Sequence, residues 1–236
     1  MIDGFVQAIN DFQSEFNDTL HAGQRLCFLT RGKELQIAAR DAFALMKAKA
    51  KQLKAQAIAN EYEDAANALL SFEETAEAFI NELNMWVALK EEKYAEAWDF
   101  LVEAQMAATN AMQAHHIADH LEGYIARLSA VEEIIFPNHG FLSIGGIVRK
   151  AECGICGQEY GTCDHLVGKP YMGELCYRRI TEYELEEASL VTNPANKHCR
   201  VLRFTDTSGR MVDAFTLRVV PEKPSTEDSV PSEGDS

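Results

Sequence analysis

From Lys33 to Glu122 the chain contains neither glycine nor proline. These two residues most often interrupt regular structure, and over about ninety positions their place is taken by the strong helix formers alanine, leucine, glutamate, lysine and glutamine. Such a stretch must be mostly helix. At 1.5 Å per residue a single rod would be about 135 Å long, so a compact protein has to fold it back on itself. Start signals divide it: Ser71 with Glu74 and Ser129 with Glu132 have capping-box spacing, and Asn60 can cap a helix. The pattern predicts helices near residues 3–20, 33–59, 61–70, 72–90, 92–113 and 115–135.

Apolar side chains recur at helical spacing in Phe5, Ile9, Phe12 and Phe16, and again in Phe72, Phe79, Leu83 and Trp86, which reads as packing between helices. Residues 31–58 hold seven basic and two acidic side chains, whereas 59–136 hold three and sixteen. Opposite charge on successive helices favours an antiparallel hairpin, although an exposed pair contributes only about 0.2–1 kcal/mol. A weak internal echo joins the segments starting at Tyr62 and Tyr94, 32 residues apart, as in tetratricopeptide arrays of period ~34. His116, Asp119 and His120 would share a face of an α-helix, but isoleucine follows His116 where a metalloprotease helix needs glutamate, so surface or cap-like histidines are the simpler reading.

The formal charge of −15 is carried by the first 136 residues and the last sixteen, while residues 137–220 have ten charges of each sign. An acidic field repels phosphate backbones and anionic lipid. Nucleic-acid binding is kept only as an alternative, through Arg178, Arg179, Arg200 and Arg203. No run approaches the ~20 apolar residues of a membrane helix, and the opening MIDGFVQAIN lacks the pattern of a secretory signal. The expectation is a cytoplasmic protein, in which six cysteines serve as thiols or metal ligands and not as a disulfide frame.

Proline first appears at position 137, and glycine and β-branched residues become common beyond it. FLSIGGIVR, YRRIT and EEASLV read as strands, and two more flank a turn at Asp206–Gly209. Within this region Cys153-Gly-Ile-Cys156-Gly has the spacing of a metal knuckle, in which two thiolates reach one ion because the chain between them folds back. Cys163-Asp-His165 follows and can supply the other two corners of a tetrahedron. Three thiolates and an imidazole suit Zn2+. Because one residue separates Cys163 from His165, Cys176 is a reserve ligand, and Cys199 with His198 a more distant one. Four protein ligands leave no place for water, so the ion is structural and stabilises a module with limited core.

Two segments flanking the knuckle, GFLSIGGIVRKAE and ITEYELEEASLVTNPAN, resemble the tailed-phage prohead (head maturation) protease family over residues 140–196. The resemblance implies a serine nucleophile at Ser143 and an acidic partner at Glu187. It does not supply the base: His139 lies only four residues before Ser143, and the region where the family has its histidine strand is helical in this chain. A serine hydroxyl without an adjacent base is a poor nucleophile. A peptidase would have to borrow His115, His116 or His120 from the helices.

The expectation is an α+β protein: an antiparallel α-helical bundle over residues 1–136, a small zinc-stabilised β-rich domain over 137–220 and a disordered acidic tail over 221–236. Its function is interaction or assembly, with a protein partner or itself through the helices, in a phage or prophage setting. A serine peptidase using Ser143 is the alternative.

Overall fold

A computed structural model describes residues 2–136 and 140–221. His139 and residues 222–236 of the acidic tail lie outside the described residues. The fold is α+β. Five α-helices come first, α1 (Ile2–Gln24), α2 (Lys33–Ala59), α3 (Glu63–Lys90), α4 (Tyr94–Ala114) and α5 (Glu122–Ile135), with a 3-10 helix over His116–Leu121 before α5. Six strands follow: β1 (Phe141–Cys153), β2 (Pro170–Tyr171), β3 (Glu174–Leu175), β4 (Arg178–Val191), β5 (Arg203–Thr205) and β6 (Met211–Asp213). They pair as three two-stranded antiparallel ribbons, β1 with β4, β2 with β3 and β5 with β6.

α3 is the central helix. On one side its Leu69, Phe72, Ala76 and Phe79 pack with Phe12 and Phe16 of α1 and Phe43 and Met46 of α2. On the other, Ala78 meets Ala107, Ala108 and Ala111 of α4, small side chains that let the two helices approach closely. The basic-against-acidic pattern of the sequence appears as ion pairs across the α2–α3 hairpin, Lys47–Glu77 at 2.7 Å and Lys54–Glu73 at 2.6 Å.

Two expected boundaries are corrected. α3 runs unbroken through Ser71, whose hydroxyl caps nothing and instead donates to the carbonyl of Ala111 on α4 at 3.0 Å. Ser129 likewise sits inside α5, where its hydroxyl bonds back to Ile125 O. The echo between Tyr62 and Tyr94 marks repeated turns. Glu61 and Glu92 both take φ of 58°, and Tyr62 and Lys93 donate back to Ala57 O and Ala88 O at 2.9 and 3.0 Å. Each turn joins single long helices, so no tetratricopeptide helix pairs arise. EEASLV and all of YRRIT but Tyr177 belong to one continuous strand, β4.

An ion pair between a half-exposed arginine and a buried glutamate fixes α5 on α3. Glu82, fully buried, accepts both guanidinium nitrogens of Arg127 at 2.7 and 2.6 Å and the indole N–H of Trp86 at 3.2 Å. Buried Gln36 donates to Leu26 O and Phe28 O and accepts from Lys90, tying the α1–α2 loop to the end of α3.

The β-rich part is seated on the helices at two places. Trp98 of α4 packs against Phe136 and Phe141, and Phe215 joins the same cluster through Phe136. There the Trp98 indole donates to Lys197 O at 2.9 Å, and the Lys197 ammonium meets Glu132 of α5 at 2.7 Å. At the second place the β2–β3 turn lies on α3. From these seats the β1–β4 ribbon extends with both faces largely exposed.

Candidate metal centre

Cys153 ends β1, and the chain reverses at once. Gly157, at φ 72°, donates its N–H to Cys153 O at 2.9 Å, and Cys153 N–H is donated to Gln158 O at 2.8 Å. Within this tight loop the N–H groups of Ile155 and Cys156 point at Cys153 Sγ. The Cys156 amide, opposed by burial and helped by the Ile155 amide, brings the Cys153 thiol down to about 6. That is the electrostatics of a thiolate ligand. Gly154 is required by packing, since a Cβ there would come within 2.6 Å of the Tyr177 ring.

The second half of the site is the loop that starts at Cys163. The backbone N–H of His165 is donated to Cys163 Sγ. The imidazole stands edge-on to Tyr171 with ring centroids 4.6 Å apart, and the Tyr171 hydroxyl accepts from Leu166 N–H at 2.9 Å, so one aromatic side chain holds both the ring and its loop. β2 and β3 then form a tight hairpin turning at Met172 and Gly173, both at positive φ as such a two-residue turn demands.

These folds bring together what the spacing predicts. Ligand atoms of Cys153, Cys156, Cys163 and His165 all lie within 4.8 Å of one another. An ion with Zn–S arms of ~2.3 Å would set its donors about 3.8 Å apart, so the cluster needs only slight contraction to close. His165 Nδ1 is buried and has no hydrogen-bond partner, an isolated polar atom that a metal would satisfy. The chemistry of the set is that of a structural Zn2+ site, and four protein donors complete its tetrahedron.

The reserve ligands separate. Cys176, at the end of the β2–β3 hairpin, is buried with its Sγ 3.8 Å from Cys153 Sγ. His198 is taken up by α4, its ring nitrogens 3.3 Å from Asp99 and 3.2 Å from Glu103. His115 caps the 3-10 helix by accepting from Ile117 N–H and reaches Asp64 at 3.3 Å, while His120 meets Ile117 O. Because the HHIADH segment is not α-helical, His116 and His120 do not share an α-helical face.

Ser143 and Glu187 both lie on the β1–β4 ribbon. Ser143 is opposite Ser189 and Gly145 opposite Glu187, so the two residues are diagonal neighbours on one face. The Glu187 side chain lies over Gly145, where a Cβ would meet it at 2.9 Å. Among the described residues no hydrogen bond joins either residue to a histidine. Arg179 pairs with Glu152 and Arg178 lies over Tyr160, whereas Arg200, buried against Trp98, and Arg203 of β5 line one cavity. Among the described residues no helix is long and apolar enough to cross a membrane.

Asn67 of α3, whose Oδ1 accepts from Gly173 N–H at 2.8 Å, and Tyr171 were not legible as parts of this centre. Their roles depend on contacts across the fold, and neither carries a spacing signal.

No family model, no curated protein and no solved structure matches the chain.

Proposed function

We propose that the protein is a non-catalytic assembly protein whose zinc ion holds a β-module on a helical bundle and that it associates with a second copy of itself through the β1–β4 ribbon. The observation that carries this reading is the closed donor set, Cys153, Cys156, Cys163 and His165, built at the end of β1 and in the segment that leads to the β2–β3 hairpin seated on α3. A closed site supplies folding free energy and leaves no position for a reacting water.

One face of the ribbon groups exposed apolar side chains. Leu142 is opposite Leu190, Ile144 opposite Ala188 and Gly146 opposite Leu185, with Ile144, Leu185 and Leu190 all at least 60% exposed. A set of this kind marks an interaction surface. The helical half also exposes apolar side chains, Phe28 and Leu29 before α2 and Leu35 and Leu45 on it, but the ribbon is favoured because its set is aligned by cross-strand register. β4 begins with Arg178 and Arg179 and continues through Glu182, Glu184, Glu186 and Glu187. Two copies related by a two-fold, with β4 strands antiparallel, would set each basic end against the other's acidic stretch.

The phage or prophage setting and the relation to prohead proteases belong to this proposal, as does a cytoplasmic location; they are supported by the LSIG and EEASLVTNPAN segments and by the reduced, metal-suited cysteines. A second reading, serine peptidase, is favoured by the placement of Ser143 and Glu187 on one face. Sedimentation velocity over a range of concentrations, run beside casein and self-cleavage assays, tests both. The proposal expects self-association that is weakened in Ile144→Asp/Leu185→Asp and unchanged in Ser143→Ala, without cleavage. A monomer at all concentrations would refute the assembly reading, and cleavage that disappears in Ser143→Ala would establish the peptidase.

A further inference from the structure

Beside the four clustered donors stands a fifth soft one, Cys176, whose sulfur is 3.8 Å from that of Cys153. We propose that Cys176 is a fifth donor to the same ion and takes the place of His165 when the imidazole leaves, converting a three-thiolate, one-imidazole centre into a four-thiolate one. This rests on the zinc reading of the cluster.

Three observations support it. The Cys153–Cys176 Sγ separation of 3.8 Å equals the edge of a tetrahedron with Zn–S arms of ~2.3 Å, so the two sulfurs have the spacing of two donors to one ion. Both sulfurs are buried, Cys153 at 1% and Cys176 at 2% exposed, whereas Cys156 is exposed and Cys163 and His165 are half-buried. Cys176 also lies within electrostatic reach of Cys156 and Cys163. Finally, its position is rigid. Gly168 N–H is donated to Cys176 O and Cys176 N–H to Lys169 O, each at 2.9 Å, at the base of the β2–β3 hairpin. His165, by contrast, arrives on a loop one residue after Cys163, and its ring is oriented through Tyr171.

The exchange has a structural consequence. The turn of the same hairpin is bonded to α3 through Met172 N–H to Glu63 Oε1 at 3.3 Å and Gly173 N–H to Asn67 Oδ1 at 2.8 Å. Engaging Cys176 therefore ties the ion to the element that seats the module on the bundle. An arriving fifth donor also lets one ligand leave as another binds, so the ion never drops below four protein ligands.

The full-length protein answers the question through its metal content and metal spectroscopy. In wild type, zinc X-ray absorption is expected to show three sulfur ligands and one nitrogen. His165→Ala is expected to keep one zinc per chain and to show four sulfurs, with cobalt in place of zinc giving a tetrahedral spectrum of higher thiolate-to-metal intensity. Adding Cys176→Ser to His165→Ala should then abolish stoichiometric zinc. Loss of zinc from His165→Ala alone, or a count of three sulfurs with an oxygen in that variant, would overturn the proposal. Wild-type protein that binds no zinc would refute the underlying metal reading instead, so the two failures are distinguishable. His165 is half-buried on a loop, so its replacement leaves the bundle core untouched.

Discussion

Gly173 donates its backbone N–H to the side-chain oxygen of Asn67 at 2.8 Å, joining residues 106 positions apart in the chain. The bond is buried and links the zinc-proximal hairpin to the N-terminal turns of α3. It requires a residue at position 173 that tolerates φ of 79° and carries no side chain, because a Cβ would meet Lys54 Cδ at 3.1 Å and Ala66 Cβ at 3.4 Å. Asn67→Leu leaves that N–H buried without a partner and is expected to cost about 1–3 kcal/mol. Urea denaturation followed by tryptophan fluorescence measures it, and a midpoint equal to wild type would show that the seat contributes nothing.

The Glu82–Arg127 pair gives a second prediction. Glu82 is buried while Arg127 keeps 39% of its side chain exposed, so Arg127→Ala leaves the carboxylate without its counter-ion but open to water, and is expected to cost about 1–3 kcal/mol. The double replacement Glu82→Leu/Arg127→Met removes both charges and should recover most of that loss. Denaturation of the four proteins of this cycle checks it; additive effects would mean that the two residues do not act as a pair.

Gly146 is the tightest point of the β1–β4 ribbon. A Cβ there would lie 2.2 Å from Glu184 O and 2.8 Å from the Tyr183 ring, beside the register shift between Gly145 and Gly146. Gly146→Ala is expected to break the local pairing while leaving the helices folded. Amide exchange should show lost protection around residues 146–148 and 183–185 and unchanged protection in α3.

Burial raises the Glu74 carboxyl above its ordinary value; the hydrogen bond from Asn110 opposes this and neighbouring Glu73 adds to it. A carboxyl with a raised folded-state pKa penalises folding when ionised in both states, that is, above the folded value, and the penalty fades as pH falls through that value toward the unfolded one. Glu74→Gln, which keeps an acceptor for Asn110, should therefore raise the melting temperature at pH 7 and give no advantage at pH 4. Equal melting temperatures at pH 7 would contradict the burial penalty.

Much of this organisation is legible in the sequence because local rules decide it. The glycine- and proline-free run marked the helical half, the basic block followed by an acidic one favoured the α2–α3 hairpin, and the cysteine spacing singled out Cys153, Cys156, Cys163 and His165 together. What escaped were features set by tertiary contacts. Ser71 has capping chemistry, yet its hydroxyl finds Ala111 O on α4, so α3 runs on through it. YRRIT and EEASLV read as two strands because a central acidic stretch lies between apolar residues, but pairing with β1 carries the strand through. Cys176 was legible as a reserve ligand, but its approach to Cys153, 23 positions away, is set by the β2–β3 hairpin.

Metal content of the purified protein, followed by amide exchange at Gly173 before and after exhaustive chelation, tests the central claim most directly. A zinc ion gripped by Cys153, Cys156, Cys163 and His165 predicts one equivalent of zinc per chain and a Gly173 amide that loses its protection once the metal is removed. Protein that carries no metal, and whose Gly173 amide is equally protected after chelation, would contradict the account.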